Sequence, residues 1–210
     1  MSNIAFELTV KNILYIYGKR LLELLSVLVT VPIITGHFGL ELMGIWLLVT
    51  QLSQHIVLLE VGLNTSTTRF LARFIAKKDL TMASIYLSSS VLTLITIGFI
   101  VVMLSPLIAS GFASIFLIPQ DLVSEIVWAV VVATVASGLG LFLRSGNAML
   151  ASKSRFDVIA FWETLVLAIR LVLIVIAFTW YDPNFFVLGL ITFVPTLLGN
   201  IMIFRAGRGV

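Results

Sequence analysis

Apolar residues run along this chain in blocks of about 20 or more, separated by short polar punctuation, and about 20 consecutive apolar residues is the length a helix needs to cross a bilayer. Six such blocks predict spans at about 18–37, 42–63, 81–107, 122–143, 158–180 and 185–204. The first is expected to extend backward through Asn12, Ile13, Leu14, Tyr15, Ile16 and Tyr17 as an interfacial helix. The third is expected to give way to a wetter stretch at 109–121 that contains Pro119 and Gln120. Barrel strands would require alternating segments of ~10 residues, and runs such as Leu171 to Phe178 do not alternate. The pattern therefore predicts an all-α fold, a polytopic transmembrane helical bundle of six spans.

Composition narrows the class further. Of 210 residues 60% are hydrophobic and 11% charged, with a mean hydropathy of +1.16. Soluble domains average about 45–50% apolar and about 25% charged residues. A soluble enzyme, a secreted disulfide scaffold and a disordered tail are excluded, because this chain carries more apolar surface than its own interior can hide. There is no cysteine, which removes disulfides, thiolate metal sites and cysteine nucleophiles. No small-residue cleavage site follows the first apolar block, so no cleavable signal peptide is expected.

The placement of charge predicts orientation. Lys11, Lys19 and Arg20 precede the first span; Arg69, Arg73, Lys77 and Lys78 follow the second; Arg144, Lys153 and Arg155 follow the fourth; Arg205 and Arg208 follow the sixth. Those are twelve of the 13 basic residues, all on one side of the six-span arrangement. The connections after spans one, three and five carry only His37, Glu41, Asp121 and Asp182. Because basic residues concentrate in cytoplasmic loops, both termini are expected in the cytoplasm.

The segment at about 65–79 opens with capping residues and then repeats at helical spacing, with Phe70, Leu71, Phe74 and Ile75 on one face and Arg69, Arg73 and Lys77 on another. It reads as a basic amphipathic helix in the cytoplasmic headgroup layer. A solvated loop helix whose cations only fix topology is the alternative, and the two are compatible. Within the spans, Pro32 is expected to bend the first helix and Gly138 and Gly140 to loosen the fourth. Ala133 with Ser137, and Ala136 with Gly140, have the small-xxx-small spacing of close helix contacts.

Candidate chemistry lies in polar residues at membrane depth, where an ionisable group is costly and faces a bundle interior or a wet cavity. Arg170 stands 12 residues after Val158, about 18 Å along the helix and near the bilayer centre. Glu163 precedes it by seven residues and shares its face. Gln51 is near mid-depth in the second span, His55 follows four residues later, and Glu60 lies near the cytoplasmic end. His55 reads either as an interhelical hydrogen-bonding contact or as a functional group. Glu23 and Glu125, near opposite ends of their spans, read as snorkelling carboxylates. No phosphate-cradling glycine loop, His-rich metal spacing or Ser/His/Asp arrangement is present, so neither catalysis nor a cofactor is expected. The cations are dispersed over four loops without the dense basic face that nucleic acid requires.

The stretch Lys11-Asn12-Ile13-Leu14-Tyr15, then Gly18-Lys19-Arg20-Leu21-Leu22, Val31-Pro32-Ile33-Ile34 and Gly39-Leu40-Glu41-Leu42-Met43-Gly44-Ile45-Trp46 resembles the start of polysaccharide flippases of the multidrug/oligosaccharidyl-lipid/polysaccharide exporter superfamily. Leu58-Leu59-Glu60-Val61-Gly62-Leu63, with Arg69-Phe70 and Ala76-Lys77-Lys78-Asp79, is similar to the second-helix exit and cytoplasmic helix of that group. The similarity is strongest over residues 11–80 and continues afterward as hydropathy and topology. It implies a transporter of undecaprenyl-diphosphate-linked sugar units across the bacterial inner membrane. Its two lobes would rock around a central cavity to give alternating access, with this chain supplying one lobe and a missing second lobe or second chain the other.

In that setting Arg170 would meet the diphosphate and Gln51 or His55 the sugar hydroxyls. Glu60, Glu163 or His55 would be titratable candidates for ion or proton coupling. A cation-coupled exporter of the multidrug and toxin extrusion type would share the architecture and would expect an acidic pocket. A membrane glycan polymerase or ligase would expect a large outward loop bearing Arg or His, and the longest outward connection, about 108–121, has neither.

Overall fold

The computed structural model describes residues 3–116, 118, 120–181 and 183–208, with side chains for Tyr15 and, within those ranges, from Tyr17 onward. Lys11, Asn12, Ile13, Leu14, Ile16, Pro119 and Asp182, which enter the reading above, lie outside the described residues or side chains. The elements are α1 (Asn3–Ala76), α2 (Leu80–Ile115), α3 (Val123–Leu143), α4 (Ser145–Ser152), α5 (Phe156–Trp180) and α6 (Phe185–Arg208). No strand occurs among the described residues, and five helical segments, 17–76, 80–115, 123–152, 156–180 and 185–208, are long and apolar enough to cross a membrane.

The count of five against the expected six has one cause. The first two predicted spans lie on α1, whose 74 residues would extend about 110 Å if straight, several times what a hydrocarbon layer of ~30 Å accommodates. The helix is interrupted at Gly39, with φ 83° and ψ 173°. That combination is open in practice to glycine alone. Helix resumes at the next residue, so the expected polar loop at 37–41 is replaced by a single-residue joint. Pro32 lies inside the helix, and the departure from helical geometry comes seven residues later.

Two further boundaries differ from expectation. The stretch expected to be wet, 109–121, remains helical to Ile115, because Ala109 and Phe112 are buried in the principal core. The hydroxyls there need no water: Ser110 donates to the Leu107 carbonyl at 3.0 Å and Ser114 to the Gly111 carbonyl at 2.9 Å. The segment at 65–79 is no separate helix, since α1 runs unbroken from 40 to 76 before turning at Lys77 and Lys78. Asp79 then caps α2, its carboxylate accepting from the Met82 amide at 3.0 Å.

α3 sits at the centre, packed against both α2 and α6. Small residues permit these approaches: a Cβ added at Gly98 would run into the Gly138 carbonyl, and one at Gly146 would lie 2.6 Å from Phe204 Cα. Gly138 therefore closes the α2–α3 crossing, where loosening was expected. The principal core joins Ile34, Trp46 and Val49 of α1, Ile126, Ala129 and Ala133 of α3, and Phe185 and Leu188 of α6. It lies at the Gly39 end of the bundle. Phe38, Trp46, Phe178 and Phe185 form a ring cluster there with centroid separations of 5.6–5.7 Å. Large apolar side chains such as Leu28, Leu92, Phe99 and Leu107 face outward on the remaining surface. That is the inverse of a water-soluble exterior.

Glu125, expected to snorkel, instead spans two helices. Its Oε2 accepts from the Phe185 amide at 3.1 Å, satisfying a free donor in the first turn of α6, where a carboxylate also complements the helix dipole.

Candidate functional site

Between α1, α3, α5 and α6 the packing opens into two adjoining polar cavities. The larger, about 590 Å³, is lined by Gln51, Gln54 and His55 of α1, Ser137 of α3, Arg170 of α5 and Thr192 and Thr196 of α6, with Arg144 at the end of α3. The smaller, about 200 Å³, is lined by Lys19, Glu23, Arg144, Glu163, Arg170 and Asn200 among others. Gln51, His55 and Arg170, singled out separately along the sequence, thus share one cavity, and Glu163 and Arg170 share the other.

Arg170 stands 14 residues from Phe156 and 10 from Trp180, about midway along α5. It is partly buried, and among the described residues it makes no ion pair or hydrogen bond. Glu163 does not supply its counter-charge. That carboxylate instead accepts from Lys19 Nζ at 2.5 Å, and Lys19 also lies 3.4 Å from Glu23, which Arg20 reaches at 2.9 Å. The expected shared face of Glu163 and Arg170 is present, but α1 occupies the Glu163 end of it.

Glu60 is likewise claimed. Its side chain is 5% exposed, and Arg144 Nε donates to its Oε1 at 2.6 Å, tying α1 to the α3–α4 corner. Asn64 Nδ2 donates to the Arg144 carbonyl at 3.3 Å beside it. His55 Nδ1 lies 2.7 Å from the Gln51 carbonyl one turn earlier. A carbonyl only accepts, so Nδ1 carries the proton in that contact and Nε2 is left as the other polar atom of the ring. The interhelical contact considered for His55 is therefore replaced by one within its own helix. The Thr192 hydroxyl, buried on the wall of the larger cavity, has no hydrogen-bond partner among the described residues.

The charge balance follows from these pairs. Lys19, Arg144 and Arg170 line the two cavities with Glu23 and Glu163, three cations against two carboxylates; Lys19 engages both of those carboxylates, and Arg144 is paired with Glu60. Arg170 is left without a direct ion pair, and Glu23, already shared by Lys19 and Arg20, is the carboxylate whose charge reaches it. An unpaired guanidinium beside amide, imidazole and hydroxyl groups can hold an anion through a planar two-pronged donor set and hydrogen-bond a polyhydroxylated neighbour. Among the described residues no group of three or more His, Asp or Glu is placed to hold a metal ion.

The residues expected to form a surface helix make contacts with α2. The Phe70 and Phe74 rings lie tilted against Tyr86 of α2, at centroid separations of 4.8 and 6.3 Å, and Leu71 packs on Ala83 and Met149. The apolar face of the amphipathic segment is partly covered by α2, with Phe70 still exposed, as are Arg69, Arg73 and Lys77.

No protein-family model, curated protein or solved structure matches this chain. The resemblance drawn above rests on the sequence motifs quoted for it.

Proposed function

We propose that this chain is one lobe of a membrane transporter that passes lipid-linked oligosaccharide diphosphates across a bacterial inner membrane by alternating access. The observation that supports it best is the unpaired Arg170, held at mid-helix on a wall shared with Gln51, Gln54 and His55. A diphosphate needs a cation at depth and its sugars need hydrogen-bonding groups nearby, while the hydrocarbon tail needs only the bilayer. A cavity whose surplus charge is positive disfavours an exporter of organic cations.

In this reading the joint at Gly39 divides α1 into two crossings, so the five apolar helices make six spans, with both termini and twelve of 13 basic residues on the cytoplasmic face. The absence of cysteine allows single cysteines to be introduced without background. Cysteines at Leu40 and Gln120 should react with an impermeant thiol reagent in intact cells, and those at Lys77 and Lys153 only after permeabilisation. Labelling of Lys77→Cys or Lys153→Cys in intact cells would overturn the topology.

Gln51, Gln54 and His55 are exposed, and such groups are not left against lipid hydrocarbon. A second lobe, on the same polypeptide or on another, closes over them in the working transporter. The 210 residues alone are accordingly expected not to restore surface polysaccharide to a strain lacking its lipid-linked oligosaccharide flippase. Restoration without self-association detectable by crosslinking would refute the proposal.

A further inference from the structure

A further groove, lined by α1, α2, α4 and α6 and sharing no residue with the two cavities at Arg170, has the polarity gradient of a phospholipid. Its volume is about 730 Å³, and it runs along α2 from Leu80 to Ile95. Over those 16 residues the helix rises about 22 Å, close to one leaflet of a bilayer about 40–45 Å thick with its headgroups. Leu87, Val91 and Leu92 make its deeper part apolar.

Two cations enter it, Lys153 at the end of α4 and Arg208 in the last turn of α6, with the Ser84 hydroxyl also in the lining. Both cations belong to the end where α2 begins, because Ala83 packs there against Leu71 and Met149. Neither forms an ion pair among the described residues. Arg208 instead lies over the Phe204 ring, 5.8 Å from its centroid, which keeps its charge at the groove mouth.

The structure assigns this groove, we infer, to an anionic phospholipid of the cytoplasmic leaflet, its phosphate held between Lys153 and Arg208 and an acyl chain lying along α2. Charge complementarity selects the occupant: a zwitterionic lipid would fill the apolar part equally well but would leave two cations without net compensation. The assignment is independent of the transport reading, since it uses none of the residues of the Arg170 wall apart from the common scaffold.

The test is native mass spectrometry of the purified protein equilibrated with phosphatidylglycerol or phosphatidylcholine of identical chains. Phosphatidylglycerol should be retained in preference. A basic residue near an anionic lipid headgroup contributes on the order of 1 kcal/mol, so Lys153→Gln and Arg208→Gln should each lower that retention roughly fivefold. Arg205→Gln and Lys77→Gln, which remove cations at the same end but outside the groove, should leave it unchanged. Ser88→Trp, which fills the chain-bearing part from an exposed position, should abolish retention without lowering the unfolding temperature. Equal loss on Arg205→Gln would show diffuse attraction in place of a site. Equal retention of phosphatidylcholine, or a dimer that Ser88→Trp dissociates, would also overturn the assignment, the last by showing that a second copy covers the groove.

Discussion

Under the transport function proposed above, Arg170→Ala in the two-lobe assembly is expected to reduce polysaccharide export by roughly 30-fold or more while leaving the amount of protein in the membrane unchanged. The magnitude follows from removing one partner of a desolvated charge pair, which costs about 2–5 kcal/mol. Arg170→Lys should retain part of the activity, because charge survives while the two-pronged geometry is lost. Stability should move in the opposite direction. Since Arg170 makes no direct ion pair among the described residues, Arg170→Met removes a desolvated charge while keeping most of the apolar stem, so its unfolding temperature should equal or exceed that of the unaltered protein. Normal export by Arg170→Ala would remove the guanidinium from the substrate path. Loss of the protein from the membrane would make the residue a folding contact.

The Glu60–Arg144 pair should give the largest stability effects. Removing one member of a buried ion pair costs about 3–5 kcal/mol, because the survivor is left uncompensated, whereas replacing both by apolar residues is often close to neutral. Glu60→Leu and Arg144→Met should each lower the unfolding temperature in detergent substantially, and the double variant should recover most of the loss. Strict additivity of the two single effects would show that the 2.6 Å contact contributes little. The pairing also alters the part Glu60 can play: a carboxylate committed to Arg144 fastens α1 to α3 and is a weak candidate for carrying a coupling ion.

Helices whose ends coincide with a change of composition were legible in the sequence. α3 and α5 begin and end within about two residues of expectation, because Arg144, Phe156 and Tyr181 stand where apolar runs meet polar ones. The joint at Gly39 was not legible, since the polar and small residues around it fit a loop equally well and a single backbone conformation decides between the two. The continuation of α2 through Ser110 and Ser114 was hidden for a related reason: a hydroxyl looks wet in sequence and becomes self-satisfied once it bonds the preceding turn.

At the site, Arg170, Gln51 and His55 were legible as candidates because polar groups stand out within apolar runs, and the structure lines one cavity with all three. Their partners could not. Lys19 meets Glu163 across 144 positions and Arg144 meets Glu60 across 84, so helix packing and not local spacing brings them together. Arg144 had been counted only as a topology determinant. Its match in depth to Glu60, each near the same end of its predicted span, was the available signal.

The uninterrupted helix from 40 to 76 is about 55 Å long, with a glycine joint at one end, Gln51 and His55 on the cavity side, an ion-pair latch at Glu60 and the Phe70–Phe74–Tyr86 rings near its far end. A body of that form is a lever. Pivoting it by about 5° at Gly39 would carry the distant end about 5 Å sideways and move His55 by roughly half as much. Motion at the far end of the helix and reshaping of the cavity wall would then be one mechanical event, with Glu60 and Arg144 setting the force needed to start it.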